Sequence, residues 1–331
     1  MTATPAARAA LVTGGAGFIG SHIAERLLVA GYQVHILDNE STGLRANAPL
    51  GATYQRGDTA SVDDVRVAFS RHYDVVFHIA GQASTIRSFA DPHADFATNA
   101  LGTMNVVQAC VEQRVPRLLF ASSMTVYGHP ARLPVSEDEA PRPLSYYGIS
   151  KYAAERFVMA TAARPDLAAP FRATAFRMFN VYGERQRLDN PYQGVAGYFI
   201  GLALAGAPIT IHGTGEQSRD FAHIDDVADA WLAAIDAPAT FNQVFNLGEG
   251  RRRTVNDLVD AVLAAVGRDR ADYPLAWGPR RPGDQEHMEA DTHRLHAAIG
   301  WTPRVGFTEG MARTVAWARR QLAVEASRDR R

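Results

Sequence analysis

Residues 9–22 read AALVTGGAGFIGSH, and this stretch decides the fold. Its first half, AALVTGG (9–15), is a short continuous apolar run stopped by glycine, the pattern of a strand buried on both faces. Its second half opens FIGSHIAERLLVAG (18–31), an amphipathic helical pattern that ends at Gly31. Glycines 14, 17 and 20 stand between and into them at a spacing of three. Such glycines let backbone amides approach a pyrophosphate resting on the positive end of the following helix. The next apolar run, QVHILD (33–38), ends in Asp38, a carboxylate placed to accept hydrogen bonds from a ribose 2′-hydroxyl and to repel a 2′-phosphate. Asn39 adds no positive charge, so the expected cofactor is NAD rather than NADP.

The alternation continues outward. A helical stretch over Ser61–Arg71 precedes the strand DVVFHIA (74–80). A long helix is expected over Asp95–Arg114, a strand at RLLFASS (117–123), a helix over Tyr146–Ala162 and a strand at RATAFRM (172–178). Continuous apolar strands separated by helices imply an α/β fold, a Rossmann doubly wound parallel sheet covered on both faces. After Asn180 the rhythm changes. Residues 184–194 are polar and turn-rich, TIHGTGEQSRDF (210–221) reads as a hairpin or loop, and VNDLVDAVLAAVG (255–267) as a helix with Thr254 or Asn256 near its start. The expected organisation is an NAD-binding domain over 1–178, with a return segment near 220–247, and a smaller mixed α/β substrate domain mainly over 179–331. The closing SRDRR reads as a frayed tail.

The bulk numbers exclude several classes. A net charge of -1 over 331 residues gives no reason to expect nucleic acid or an anionic membrane as partner. No apolar run approaches the ~18 residues that span a bilayer, and the first ten residues lack the apolar core of a secretion signal. The single cysteine, Cys110, excludes an internal disulfide and suits a reducing compartment, so the cytoplasm is expected, with Cys110 as buried packing. No metal-ligand set is expected. Of 34 basic residues one alone is lysine, Lys151.

That lysine sits four residues after Tyr147, and positions four apart share a helix face. A phenol is a poor base at its ordinary pKa near ~10. A neighbouring ammonium, aided by a positive nicotinamide ring, favours phenolate, and a compact ammonium also suits a ribose hydroxyl. Tyr146 is the rival base, turned away by its five-residue offset. Ser123, at a strand end in FASSMTVYG, is the third candidate, with Ser122 as the alternative. For the cofactor, the candidates are Gly14, Gly17, Phe18, Ile19, Asp38 and Asn39, with Asp58 of QRGDTAS near an adenine amine. Small Ala80 and Gly81 of HIAGQAS would let it pass, and Asn99 would hold the region in place. His78 is read as a satisfied strand-end histidine.

Taken in order, VTGGAGFIGSH, LDNESTG, NALGTMNVV, SSMTVYG, YYGISK, FNVYG, GTGEQSRDFAHIDD, FNLGEG and RPGD resemble the extended short-chain dehydrogenase/reductase family, in its NAD-dependent nucleotide-sugar epimerase and dehydratase branch. The resemblance covers nearly the whole chain. It implies a tightly held NAD, a UDP-sugar pocket supplied by the C-terminal half, and a homodimer formed through two long helices per subunit. It also implies that Asn180, Arg219 and Arg281 meet the diphosphate, with Asp284 ordering the loop and Arg280 as the alternative to Arg281. The shared chemistry oxidises the sugar at C4, with Tyr147 taking the hydroxyl proton.

The fate of the oxidised sugar depends on the neighbours of Ser123. Relatives that eliminate water carry Asp-Glu immediately before VYG, whereas this chain has Met124 and Thr125, and decarboxylating relatives usually carry glutamate at the position of Thr125. The expected reaction is therefore 4-epimerisation of a UDP-hexose or UDP-hexuronic acid. Arg185 and Arg187 lie where uronate-handling relatives hold a C6 carboxylate. A UDP-glucuronic acid decarboxylase, a lyase using the same oxidation, is the alternative, since a β-keto acid can lose carbon dioxide without a dedicated base. A catalytically silent NAD-binding sensor is the alternative of another class.

Overall fold

The structure, a computed structural model, describes residues 7–192 and 194–328. In chain order the elements of the first half are β1 Ala9–Thr13, α1 Phe18–Val29, β2 Gln33–Asp38, β3 Thr53–Arg56, α2 Val62–Ala68, β4 Val75–His78, α3 Thr85–Ala90, α4 Pro92–Phe96, α5 Gly102–Glu112, β5 Arg117–Ser123, α6 Tyr146–Ala162 and β6 Arg172–Met178. Those of the second half are β7 Asn180–Tyr182, α7 Val195–Ala205, β8 Ile209–His212, β9 Ser218–His223, α8 Ile224–Ala233, β10 Gln243–Leu247, β11 Arg252–Thr254, α9 Val255–Val266, β12 Leu275–Gly278, α10 His293–Ile299 and α11 Phe307–Arg328.

The central sheet is wholly parallel, with strand order β10-β6-β5-β4-β1-β2-β3. The chain leaves β1 in one direction and returns on its other side at β4, so the carboxyl ends of these two strands flank a crevice, where ligands of such sheets bind. Both faces are covered, which is why the strands are apolar throughout. One core gathers Ile23, Leu27, Phe77, Phe176 and Trp231 beneath α1 and α8, and the opposite one gathers Leu11, Val76, Val107, Leu118 and Val158 beneath α2, α5 and α6. A third core, built on Phe199, Ile200, Leu258, Val262 and Met311, joins α7, α9 and α11 in the second half.

Several local readings change. The helix expected over Asp95–Arg114 starts at Pro92, capped by Asp91, and is interrupted by a π-turn over Ala97–Leu101. The extra residue in that turn accommodates Asn99, whose buried side chain reaches out of the helix, a device common at functional sites. The segment 210–221 is not a hairpin, because β8 pairs with β12 and β9 with β7 and β11, and the turn at 213–217 passes between two sheets. Thr254, not Asn256, caps α9, in a reciprocal capping box with Asp257. Of the terminal SRDRR, Ser327 and Arg328 end α11 and residues 329–331 lie outside the described residues, as do residues 1–6. Among the described residues no helix is long and apolar enough to cross a membrane.

Candidate active site

A cleft of about 820 Å³ runs from the β1–α1 turn across the sheet to the second half of the chain. At its first end, Gly14 takes a φ of +72°, and a Cβ there would lie 2.8 Å from the amide nitrogen of Ala80. Only glycine allows the β1 turn to sit this close to the β4 loop. Among the described residues no side chain caps α1, whose N-cap is Gly17. The amides of its first turn, at Phe18 and Ile19, are therefore left to a ligand. Asp38 is buried at the end of β2 and accepts from the amides of Ala16 (2.9 Å) and Glu40 (2.8 Å). Asn39 donates to Asp58 (2.8 Å), so these two act as one polar edge. A glycine cradle, an uncapped helix terminus and a fixed carboxylate fit the pyrophosphate and ribose of NAD.

The middle of the cleft holds Tyr147, Lys151 and Ser123, all buried. Ser145 caps α6, and the helix presents Tyr147 and Lys151 on its inner face while Tyr146 points outward against Phe89. Thr125 donates to the Ser123 oxygen (3.0 Å), which leaves the serine proton to be directed elsewhere. Burial pushes the Tyr147 phenol up to about 12, against the pull of the Ser123 hydroxyl and with a further push from Asp95. Burial pushes Lys151 down to about 8, opposed by Asp95 and Glu155. Its ammonium lies over the Phe120 ring, 4.7 Å from the centroid. In the protein by itself burial holds the phenol above its ordinary value, and the expected lowering combines the Lys151 ammonium with the positive ring of the cofactor.

The far end carries the polar groups of the second half. Asn180, Arg185, Arg187, Arg219, Arg281 and Asp284 line it, with Met124 and Thr125 on the near wall. Arg219 is buried and paired with Asp284. Arg281 faces the cleft, whereas its rival Arg280 pairs with Glu286 at the surface (2.8 Å). Arg185 donates to Glu25 (2.5 Å) and Arg187 grips Asp189 through two bonds (2.6 and 2.8 Å). Among the described residues the Oδ1 of Asn180, the Oε1 of Gln186 and the Nη1 of Arg185 are buried with no hydrogen-bond partner, an arrangement that a bound polar ligand would complete.

The cleft thus brings together every candidate except Asn99, which does not line it. Asn99 instead exchanges bonds with the backbone of Gln82 (3.0 Å each) and donates to Asp95 and Ser150. It positions the loop after β4 and does not face the cofactor space. His78 is fully buried between the hydroxyls of Thr13 (2.7 Å) and Thr103 (2.9 Å), and burial pushes it down to about 3. Among the lining residues that the sequence reading did not single out are Arg87 on α3, stacked over Tyr192, Gln186 between the two arginines, and Gln285, which donates to the Gly128 carbonyl (2.6 Å). Of these three, Gln186 had a signal, its place between two candidates. Among the described residues no His, Cys, Asp and Glu cluster could hold a metal ion.

Comparison with known proteins agrees with this geometry. Residues 10–248 match the NAD dependent epimerase/dehydratase family. A putative UDP-glucose 4-epimerase of Methanocaldococcus jannaschii is 36% identical over 310 residues, covering 93% of this chain and 97% of that protein. The crystal structure of a UDP-glucose 4-epimerase from Thermotoga maritima with UDP-glucose superposes with a TM-score of 0.89 at 34% identity, covering 95% of this chain and 99% of that one. MoeE5 in complex with UDP-glucuronic acid and NAD gives 0.83 at 36% identity, covering 94% and 99%.

Proposed function

Because this chain belongs to the NAD-dependent epimerase/dehydratase family, we propose that it interconverts the C4 epimers of a UDP-hexose or UDP-hexuronic acid. The observation that carries the reading is the wall of the cleft at Ser123–Thr125. Tyr147, Lys151 and Ser123 converge there, and the two positions after the serine hold a thioether and a hydroxyl in place of an acid and a base.

NAD, when bound, supplies a hydride acceptor and donor at the sugar C4. The chain's own residues do the rest. Tyr147 takes the C4 hydroxyl proton and returns it when the carbinol re-forms. Ser123, its oxygen already accepting from Thr125, directs its proton to the same sugar oxygen. Lys151 keeps positive charge beneath the phenol and offers donors to a ribose hydroxyl. Arg219, Arg281 and Asn180 hold the diphosphate, so the sugar can turn about its linkage while the nucleotide stays fixed. Met124 and Thr125 lack the proton-transfer groups for eliminating water from C5–C6, so the ketone is reduced again, from either face.

Within this class a hexuronic acid is favoured by Arg185, whose Nη1 is buried without a partner among the described residues and which lines the cleft toward the expected sugar position. A C6 carboxylate would satisfy it, and MoeE5, 36% identical, has been crystallised with UDP-glucuronic acid. A homodimer is supported by apolar side chains left exposed on neighbouring helices: Phe96, Leu101 and Met104 along α4 and α5, and Ile149 on α6.

The test is to incubate the purified protein, without added NAD, with UDP-glucose, UDP-N-acetylglucosamine and UDP-glucuronic acid, and to separate the products by mass and by isomer. A new isomer of unchanged mass is expected. A product lighter by carbon dioxide would assign the lyase reaction instead, and no product from any of the three would leave a silent NAD-binding protein.

A further inference from the structure

Asp95, on α4, is 1% exposed and takes no part in the proposed proton and hydride transfers. One of its carboxylate oxygens accepts from the Gln82 amide (2.7 Å) and the Asn99 amide (3.1 Å), and the other from the Ser150 hydroxyl (2.6 Å). These three donors belong to three different segments: the loop after β4, the π-turn and α6. Gln82 holds Ser84 through a further bond (2.8 Å), and Asn99 binds the Gln82 backbone, so the whole loop hangs from this carboxylate and its neighbour. The loop includes Gly81, where an added Cβ would lie 3.5 Å from the Lys151 ammonium. Ser150 immediately precedes Lys151, and its oxygen also lies 3.1 Å from the Tyr147 carbonyl. Asp95 therefore touches the supports of both members of the pair.

Its charge is also uncompensated in a way that its counterpart's is not. Lys151 is faced by two carboxylates, Asp95 from α4 and Glu155 from its own helix, and by the neutral ring of His78 from β4. Glu155 is answered by Arg177 of β6 through two bonds (2.7 and 3.0 Å) and by the Ser122 hydroxyl (2.6 Å), with Tyr127 completing the arginine's shell. Asp95 has no ion pair among the described residues. Burial raises the Asp95 carboxyl, while the Ser150, Gln82 and Asn99 donors and the Lys151 ammonium favour its ionised form, and Tyr147, beside Ser123, feels its charge in turn.

We propose that Asp95 is a positioning residue for the Tyr147–Lys151 pair, tying the 79–84 loop to α6 and setting, through its charge, the pH range in which the pair works. The proposal rests on the reading of Tyr147 as the base. A negative charge beside the pair favours the protonated form of both groups. It keeps the lysine cationic against burial and makes the phenol harder to ionise, so the working range is displaced as a unit toward higher pH.

Asp95→Asn separates charge from scaffold. The amide oxygen can take the Gln82 and Asn99 protons, while the amide nitrogen donates to Ser150, whose own proton turns to the Tyr147 carbonyl. The net survives and the charge is gone. In the NAD-loaded enzyme, both limbs of the pH–rate profile are expected to move down by about one pH unit, with melting temperature and retained NAD unchanged. Ser150→Ala, which removes the Ser150 bonds to Asp95, Asn99 and the Tyr147 carbonyl and keeps the charge, leaves both limbs in place. Should D95N melt below the assay temperature, Asp95→Ser carries the same expected shift.

An ultraviolet difference titration reads the coupling without turnover, using wild type against Tyr147→Phe and D95N against the double variant. The Tyr147 phenolate should appear at lower pH in D95N. A titration that overlays the wild type, in a D95N protein that folds, overturns the proposal. A shifted titration with no sugar turned over at any pH supports the coupling and refutes the role of Tyr147 instead.

Discussion

Gly20→Ala is the sharpest structural perturbation of the cofactor end. A Cβ on Gly20 would lie 2.1 Å from the Gly14 carbonyl oxygen, 2.8 Å from its carbon and 2.9 Å from the Gly15 Cα, all backbone atoms. Ordinary contact begins more than an ångström further out, so α1 and the Gly14–Gly17 turn must separate by about 1 Å. The helix resists moving. Ile23, Ala24 and Leu27 are fully buried beneath it, and Arg26 is tied to Asp225 (2.7 Å) and to Asp229 of α8. The turn must give way, at a cost of about 2 kcal/mol, the middle of the range for one methyl forced into a packed site.

The displaced amides are those offered to the pyrophosphate. A charge-assisted hydrogen bond contributes about 1.5–3 kcal/mol, so losing one weakens NAD binding about tenfold or more. Calorimetry of NAD titrated into the stripped protein, with thermal unfolding of the same sample, measures both. Gly31→Ala is the control. It also forces a side chain at positive φ (+85°), but into open space, and should lower stability without touching affinity. If G20A binds NAD like the wild type, the close approach of helix and turn is not what builds this site.

Three further outcomes are expected. Tyr147→Phe should lower turnover by at least ~10²-fold, the usual contribution of a general base, while isothermal titration shows UDP-sugar affinity within a factor of a few. Glu155→Gln should reduce unfolding free energy by about 3–5 kcal/mol, because it leaves Arg177 buried beside an uncharged partner. Replacing both partners by apolar residues of similar volume should recover part of that loss in denaturant melts. His78, held neutral down to about 3, gives a pH signature. The unfolded chain takes up a proton near ~6.5 that the folded ring refuses. Stability therefore falls as pH drops below that value, with a slope approaching about 1.4 kcal/mol per pH unit from this one group. His78→Gln should flatten that slope by up to one proton in urea melts between pH 7 and 5.

The first half of the fold is readable because its signals are local. A glycine turn, an apolar strand and a helix stop each lie within a few residues, and the sheet emerges from their alternation. The second half reads less well because its strands are short and their partners distant. β8 and β9 look like one hairpin in sequence, yet each pairs in a different sheet. The site shows the same division. Tyr147 and Lys151 announce themselves at helical spacing, whereas that Arg281 faces the cleft and Arg280 turns to Glu286 shows only in space. A mid-helix Asn99 signals that it has a task, but its bonds to Gln82, Asp95 and Ser150 span up to 51 positions and leave no local pattern. The upward push on Tyr147 is invisible in the sequence for a related reason. A side chain's desolvation depends on everything packed round it, and spacing on one helix shows only its helical neighbours.

The central claim is that a C4 hydride leaves the sugar and returns to it inside one cleft. It is tested most directly with UDP-glucose or UDP-glucuronic acid carrying deuterium at C4, incubated with the protein and no added NAD, with the product read by proton NMR. The account predicts the 4-epimer with its deuterium still at C4. Recovery of epimer that carries solvent hydrogen at C4 would contradict it.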